Sequence, residues 1–179
     1  MAGLENKVTA MYGKLNSTSK ELTKVERRID TLKKHIQQGE YFKEHRKLKR
    51  QDDKLYAEYA AAKNETGFFA ERKAKKALEA VNAFREANHT GLTLYNAAEK
   101  YLRGVLQERF DPKKLPPIDK WKEELAEKTG KKESLYLDYY ALQNETAKVE
   151  KIQRSVKEIL HSETPKSERL PTRKRDMEL

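Results

Sequence analysis

Residues 4–36 read LENKVTAMYGKLNSTSKELTKVERRIDTLKKHI, and the spacing of the apolar side chains in this stretch decides the fold class. Apolar residues recur at steps of four and three, with Thr18 in the one missing place: Leu4, Val8, Met11, Leu15, Leu22, Val25, Ile29, Leu32 and Ile36. Such a heptad pattern is typical of a helix that packs along one side against another helix. The stretch therefore predicts a long helix over about residues 4–37.

Glycines and prolines divide the rest of the chain into further predicted helices. Gly39 predicts a break or kink, followed by a basic helix over about residues 41–63 and a turn at residues 64–67. A third helix opens at Phe68 and is predicted to end at residues 89–91. Thr93 is predicted to cap a fourth helix, whose alanines allow close approach, so we expect it to be the most buried.

The proline-rich loop at residues 111–118 precedes a second long helix, predicted over about residues 119–160. Asp119 is its expected N-cap, and Gly130 is a candidate bend or break. Its predicted apolar seam consists of Trp121, Leu125, Leu135, Tyr139, Leu142, Val149, Ile152, Val156 and Ile159. The substitution Leu142→Asp is therefore predicted to unfold the protein or to dissociate its oligomer.

These patterns predict an all-α protein, an elongated antiparallel helical bundle with long coiled-coil-like helices and a disordered C-terminal tail. The predicted domains are a long heptad helix with its basic helix over residues 1–63, a helical hairpin body with the long C-terminal helix over residues 64–161, and a disordered basic tail over residues 162–179. The tail carries the basic cluster Arg173, Lys174 and Arg175.

The chain has 39 lysines and arginines against 29 acidic residues, a formal net charge of +10. This excess favours an anionic partner, nucleic acid first and a membrane surface second, although a solvated lysine-rich helix surface is the alternative interpretation. The chain has no cysteine, no apolar run near the roughly 20 residues that span a bilayer, and no signal-peptide core. We therefore predict a cytoplasmic protein without membrane insertion.

No catalytic constellation is recognisable in the sequence. Tyr136, Tyr139 and Tyr140 form the only tyrosine cluster, and they are predicted to pack along a helix seam because no base or metal that would activate a hydroxyl lies nearby. The four histidines, at positions 35, 45, 89 and 161, are not spaced as metal ligands, and no phosphate-binding glycine loop is present. We therefore predict no enzymatic activity, no metal and no cofactor.

Clusters of basic residues are the most informative candidate site. Lys43, Arg46, Lys49 and Arg50 are spaced to share one face of the basic helix. Clustered cations bind a polyanion by releasing its counterions, and without a base-reading motif they contact phosphates rather than base edges. The candidate DNA-binding residues are Lys33, Lys34, Lys43, Arg46, Lys47, Lys49, Arg50, Arg72, Lys73, Lys75, Lys76, Lys113 and Lys114. Neutralising Arg46, Lys49 and Arg50 is predicted to weaken DNA binding without unfolding the protein.

Several segments are matched to one known family. They are LYNAAEKYL at residues 94–102, LPPIDKW at 115–121, LYLDYYALQNE at 135–145, VEKIQRSV at 149–156 and TRKRDMEL at 172–179, with a weaker match over residues 25–63. Over about residues 20–179 the chain resembles the helical region downstream of the nuclease domain in plasmid and transposon mobilisation relaxases of the MobA/MobL type. Such relaxases nick DNA with an N-terminal tyrosine and a histidine-held metal, and neither motif is present, since Tyr12 lies within the heptad helix. The resemblance therefore implies an accessory role in a bacterial cytoplasm and transfers no catalytic residue.

Two kinds of function remain open at this point. The first is a DNA-mobilisation accessory domain that binds DNA electrostatically, or that docks the relaxosome onto coupling or transfer proteins. The second is a coiled-coil interaction or oligomerisation module, in which the charges only maintain solubility and a homodimer is one partner. Phosphate binding weakens steeply with salt whereas an apolar seam hardly does, so the two hypotheses differ in their response to salt.

Overall fold

The computed structural model describes residues 2–163, and these residues form four α-helices without a β-strand. The helices are α1 (Ala2–Lys63), α2 (Ala70–Ala87), α3 (His89–Leu106) and α4 (Ile118–Glu163), with a short 3₁₀ helix at Gln107–Arg109. The all-α class predicted from the heptads is confirmed. Most of the predicted tail, including Arg173, Lys174 and Arg175, lies outside the described residues.

The expected helix break at Gly39 is wrong, because α1 continues through this residue to Lys63. Gly39 is buried, and a Cβ atom at this position would lie 2.8 Å from Ile118 Cγ1 and 3.3 Å from Trp121 Cζ3. The glycine therefore allows α4 to approach the backbone of α1 closely.

The expected boundary between the third and fourth helices is also wrong. Helix α2 ends at Ala87 and α3 begins at His89, so one residue, Asn88, separates them. The Asn88 side-chain amide and backbone N–H both donate to the Phe84 carbonyl, at 2.9 and 3.0 Å. Gly91 lies inside α3, where a Cβ atom would come within 2.7 Å of Leu48 Cδ1, so this glycine too permits a helix contact.

The predicted positions of the proline-rich loop and of the second long helix agree with the structure, since residues 110–117 contain no helix and α4 follows them. Two details are wrong. Asp119 lies inside the first turn of α4, which begins at Ile118, so it is not the N-cap, and the helix continues through Gly130 without a break. Helix α3 has the highest share of buried residues among the four described helices, as its alanines predicted.

The described chain divides into two compact units. The first, here called the two-helix unit, comprises residues 2–23 of α1 and residues 133–163 of α4. The second, the central unit, comprises residues 24–132 and contains α2, α3 and the proline-rich loop. The predicted division of the chain at residues 63 and 161 stays a prediction.

The core of the central unit forms where α1, α3 and the start of α4 meet. Its buried members are Leu32, Phe42, Tyr95, Ala98, Leu102, Ile118 and Trp121. The Phe42 and Tyr95 rings stack with centroids 4.9 Å apart, and the edge of Phe110 closes the cluster at 5.8 Å from Phe42. Ion pairs at the rim, such as Arg28 with Glu124 at 2.7 Å, place the α1 and α4 segments of this unit antiparallel.

In the two-helix unit, the segments of α1 and α4 also run antiparallel. Tyr12 donates to Glu150 at 2.5 Å, and Lys157 lies 3.4 Å from Glu5. The predicted α1 seam is confirmed, since its members from Leu4 to Ile36 are all buried or half-buried.

The predicted seam of α4 is wrong at two positions, Ile152 and Ile159, which are 53% and 56% exposed. Steps of alternately three and four residues from Ile118 lead to Thr146 and Gln153 instead. Thr146 is 3% exposed, and its hydroxyl donates to the Leu142 carbonyl at 2.7 Å. The side of α4 that faces α1 thus includes polar residues, while two isoleucines point elsewhere.

Candidate nucleic-acid interface

All thirteen candidate DNA-binding residues lie in the central unit, on α1, α2 and the proline-rich loop. The structure divides them into cations with partners inside the protein and cations that face solvent. Only the second group is available for phosphates without breaking an existing contact.

The exposed cations of α1 form a row along the side of the helix that faces solvent. Lys43, Lys47 and Arg50 are exposed, and Lys54, one step further, is exposed as well. The spacing of four, three and four residues places them on neighbouring turns, over a length of about 16 Å. None of these four forms an ion pair with a carboxylate within residues 2–163. We call these residues the α1 cation row.

Acidic residues beside the α1 cation row are fewer than its cations, and one of them is paired within the protein. Glu40 accepts a hydrogen bond from Lys122 at 2.7 Å, and this contact, more than the nearby charge of Lys43, holds the pKa of the Glu40 carboxyl below its ordinary value. Glu44 and Glu58 are exposed next to the row. Four exposed cations against two exposed carboxylates leave the local charge of this face positive.

Arg46 and Lys49, two other members of the predicted basic face, have structural contacts. The Arg46 guanidinium donates to the Lys113 carbonyl and thereby joins α1 to the proline-rich loop. The Lys49 ammonium lies 2.7 Å from Asp53 and 3.5 Å from Asp52. Neutralising Arg46, Lys49 and Arg50 together would therefore disturb packing as well as remove charge.

Asp52 anchors α2 against α1. It is 5% exposed, and Arg85 donates to both of its carboxylate oxygens, at 2.6 and 3.3 Å. These hydrogen bonds are the main reason that the pKa of the Asp52 carboxyl lies below its ordinary value. Arg85 also lies over the Tyr56 ring, 5.4 Å from its centroid. This pair stabilises the fold and is not available to a ligand.

The α2 candidates form a second exposed group. Arg72, Lys75 and Lys76 are exposed in the first turns of the helix, without an ion pair in the described part of the chain. Lys73 is paired with Glu65. The predicted start of this helix at Phe68 is wrong, because α2 begins at Ala70, and Phe68 and Phe69 just before it are 95% and 69% exposed.

The remaining candidates lie apart from these two groups. Lys113 and Lys114 are exposed in the proline-rich loop, and Lys114 is 3.8 Å from Asp111. Lys114 also borders a cavity of about 310 Å³ together with Arg109 and Lys120. On α1, Lys33 is exposed and the Lys34 ammonium lies 5.4 Å from the centroid of the Tyr101 ring.

Sequence reasoning missed Lys54 as a member of the α1 cation row. The sequence does contain the signal for Lys54, because this residue lies four positions after Arg50 and so continues the helical spacing of the row. The run of basic residues ends at Arg50, however, and the acidic pair Asp52 and Asp53 conceals the continuation. In the structure, these two carboxylates are occupied by Lys49 and Arg85.

The tyrosines lie against other side chains of the protein. Tyr139 is half-buried and borders a cleft of about 480 Å³ in the two-helix unit, whereas Tyr140 is 57% exposed and lies against the Tyr136 ring. Tyr12 donates its hydroxyl to Glu150, and this hydrogen bond to a carboxylate raises the pKa of the phenol. A raised pKa disfavours the phenolate that nucleophilic attack requires.

The histidines are separated from one another. His35 is buried, with Nδ1 2.8 Å from the Tyr101 hydroxyl and its ring 5.2 Å from that of Trp121. His45 is half-buried beside Gly91, and the other two histidines are exposed. Within residues 2–163, no three side chains of the histidine, aspartate or glutamate type are grouped as ligands for a metal ion. None of the helices in this part of the chain is long and apolar enough to cross a bilayer.

Comparisons of the chain with protein-family models, with curated proteins and with solved structures find no match. The resemblance to mobilisation relaxases therefore stays a prediction from the sequence.

Proposed function

We propose that this protein is a non-catalytic helical accessory domain that binds the phosphate backbone of DNA through the α1 cation row. The proposal rests on the exposure of four cations that form no ion pair with a carboxylate within residues 2–163: Lys43, Lys47, Arg50 and Lys54. Bringing phosphates to such a row releases condensed counterions from the DNA without breaking an internal ion pair.

The row favours contacts to phosphates over contacts to bases. Lysine is a flexible point charge, and three of the four members are lysines, so they follow a backbone without reading base edges. Arg72, Lys75 and Lys76 on α2 are a second group that would add phosphate contacts. We therefore expect binding with low sequence specificity.

The resemblance to MobA/MobL-type relaxases supplies the process in which such binding would act. In that proposal the domain would hold DNA near a transfer origin, or dock the nicking complex onto transfer proteins, in the cytoplasm of a bacterial cell. The nicking chemistry would belong to a nuclease domain.

The test is a titration of fluorescently labelled single-stranded and double-stranded DNA with the full chain at several salt concentrations, followed by anisotropy. The variant Lys43→Gln, Lys47→Gln, Arg50→Gln, Lys54→Gln removes the row. If all four contact phosphates of a duplex, the slope of log Kd against log salt should decrease by about 3 to 4 in the variant.

A matched control separates the row from the total charge. Lys7, Lys20, Lys24 and Arg27 are also three lysines and one arginine, exposed on α1 and outside any described ion pair. Changing them to glutamine lowers the net charge of +10 by the same four units. Equal losses of affinity in both variants would show that only net charge matters, and no binding at low salt would exclude a nucleic-acid function.

A further inference from the structure

A cavity between the proline-rich loop and the first turn of α4 is not used by the proposed function. Its volume is about 310 Å³, near the lower end of the roughly 300–1,000 Å³ that is typical of small-molecule sites. Its lining comes from residues 106–120, so it lies wholly within the central unit. A cavity of this size takes one small group rather than a helix.

The lining of this cavity carries an excess of positive charge. It includes the cations Arg109, Lys114 and Lys120 and one carboxylate, that of Asp111. Arg109 and Lys120 are exposed and form no ion pair within the described residues, whereas the Lys114 ammonium lies 3.8 Å from Asp111. Three cations against one carboxylate leave two positive charges around the cavity.

The carboxylates of this region do not close the cavity. Asp111 Oδ1 accepts a hydrogen bond from the Lys113 N–H at 2.8 Å, so this side chain is part of the loop structure. Glu108 and Asp119 are exposed and are not part of the lining. Arg109 and Lys120 are therefore available to an anion without breaking an internal ion pair.

The rest of the lining is apolar. It comes from Leu106, Phe110, Leu115, Pro116 and Pro117. Cations and apolar side chains around one cavity suit a ligand that has both an anionic and an apolar group. A bare phosphate ion or a sugar phosphate has no apolar surface to place against these side chains.

Several contacts hold this lining in place. The Arg103 guanidinium lies over the Phe110 ring, 5.0 Å from its centroid, and the Phe42 ring is in edge-to-face contact with Phe110 at 5.8 Å. Arg46 donates to the Lys113 carbonyl and ties the loop to α1. Because the cavity is formed before a ligand binds, binding requires little ordering of the chain.

We propose that this cavity binds a nucleotide, with its terminal phosphate at Arg109, Lys114 and Lys120 and its base against the apolar side chains. A phosphate monoester carries about −1.5 to −2 charges at pH 7, which matches the two positive charges of the lining. A phosphodiester within a DNA strand carries one charge and matches it less well. The partial positive charge at the start of α4 adds to the attraction.

The required chemistry is present both in a free nucleoside monophosphate and in the phosphorylated end of a DNA strand. The site uses no member of the α1 cation row. Its test is therefore independent of the proposed binding to the DNA backbone.

The first test is calorimetric titration of the full chain with deoxyadenosine 5′-monophosphate, deoxyadenosine and inorganic phosphate. We expect the monophosphate to bind about tenfold or more tightly than the nucleoside, because it adds hydrogen bonds to charged groups. It should also bind more tightly than inorganic phosphate. Absence of binding, or equal affinity for inorganic phosphate and the monophosphate, would overturn the proposal.

The variant Arg109→Gln, Lys120→Gln should lose the preference for the monophosphate over the nucleoside. Its matched control is Arg72→Gln, Lys76→Gln, which also removes one exposed arginine and one exposed lysine outside any described ion pair. This control should keep the preference, and equal losses in both variants would show that only net charge matters. Circular dichroism should show the same helix content in both.

A second pair of variants tests the apolar part of the lining. Leu115→Ala should weaken binding of the monophosphate and leave that of inorganic phosphate unchanged. Leu115 is 50% exposed, so the fold should tolerate this change, and Leu137→Ala is the control at an exposed leucine of the two-helix unit. An unchanged affinity for the monophosphate in Leu115→Ala would contradict the placement of the base.

The source of the nucleotide is decided with single-stranded oligonucleotides of one sequence that carry a phosphate at the 5′ end, at the 3′ end or at neither. Tighter binding of one phosphorylated form, lost in Arg109→Gln, Lys120→Gln, would support the proposal with a strand end as the ligand. Equal binding of all three, with the monophosphate still bound, would support it with a free nucleotide as the ligand.

Discussion

At the scale of single residues, two glycines have a role in helix packing. Gly39 and Gly91 both lie inside helices at points where another side chain leaves no room for a Cβ atom. At Gly39 the neighbours are Ile118 and Trp121, both buried, so they have little freedom to move away. A methyl group there would have to displace part of the core.

The change Gly39→Ala is therefore expected to destabilise the protein by about 1–3 kcal/mol, although alanine is the better helix former. Gly130→Ala is the matched control, since Gly130 also lies inside a helix but has open space around it. That change should stabilise by about 0.5–1 kcal/mol. Thermal unfolding followed by circular dichroism measures both. Equal effects of the two changes would contradict the packing role of Gly39.

His35 makes the central core sensitive to pH. Burial lowers the pKa of the His35 imidazole below its ordinary value of 6.5, and the nearby charge of Arg28 lowers it further, while Glu124 acts in the opposite direction. Its Nδ1 atom is hydrogen-bonded to the Tyr101 hydroxyl at 2.8 Å, and the ring lies 5.2 Å from that of Trp121, so the imidazole is enclosed by aromatic side chains.

Because the unfolded chain binds this proton more tightly than the folded one, unfolding takes up a proton as the pH falls through about 6.5. The free energy of unfolding should therefore decrease from pH 7.5 to pH 5.5, and His35→Gln should lose less over this range. His89→Gln, at an exposed histidine, should follow the unaltered protein. The comparison requires urea unfolding at each pH. A pH dependence unchanged in His35→Gln would contradict the assignment.

At the scale of elements, the long helices depend on pairing, because their apolar residues form narrow stripes. In the two-helix unit, the seam of α4 passes through Leu135, Tyr139, Leu142, Thr146 and Val149. The only polar member, Thr146, weakens this seam, so the pairing depends on a small number of apolar side chains.

Leu142→Asp places a carboxylate in this half-buried seam and should destabilise the two-helix unit by about 2–4 kcal/mol. The same change at Leu78, which is 38% exposed on α2, should cost less than about 1 kcal/mol. Thermal unfolding monitored by circular dichroism compares the two variants. An unchanged melting temperature in Leu142→Asp would refute the seam.

At the scale of the whole molecule, the basic residues fall into two groups. The first group stabilises the fold through ion pairs, such as those of Arg28 with Glu124 and of Arg85 with Asp52. The α1 cation row has no such partner in the described chain, and it therefore contributes to the net charge of +10 without contributing to packing. Under the proposed function, this row would bind phosphates without breaking an internal ion pair.

Much of this organisation was predictable from the sequence. The heptad spacing of Leu4 to Ile36 is a local property of the chain, and it identified the packed side of α1 correctly. The prolines at positions 112, 116 and 117 marked the loop before α4, because proline cannot continue a helix.

Other features were not predictable because they depend on which residues of a neighbouring helix lie opposite a given position. A glycine with open space around it and a glycine against another helix have the same local signal, so Gly39 was assigned to a break. The residues Ile152 and Ile159 fit an apolar period, but the phase of α4 against α1 places Thr146 and Gln153 in the seam.

The sequence by itself determined that the chain forms long amphipathic helices with an excess of positive charge. Periodicity and composition are properties of neighbouring residues, and they need no knowledge of the fold. Only the tertiary structure decided which glycines lie at helix contacts, which cations are neutralised by carboxylates, and which side of α4 stays exposed. The physical reason is that burial and pairing depend on distances between residues far apart in the chain, which local spacing does not encode.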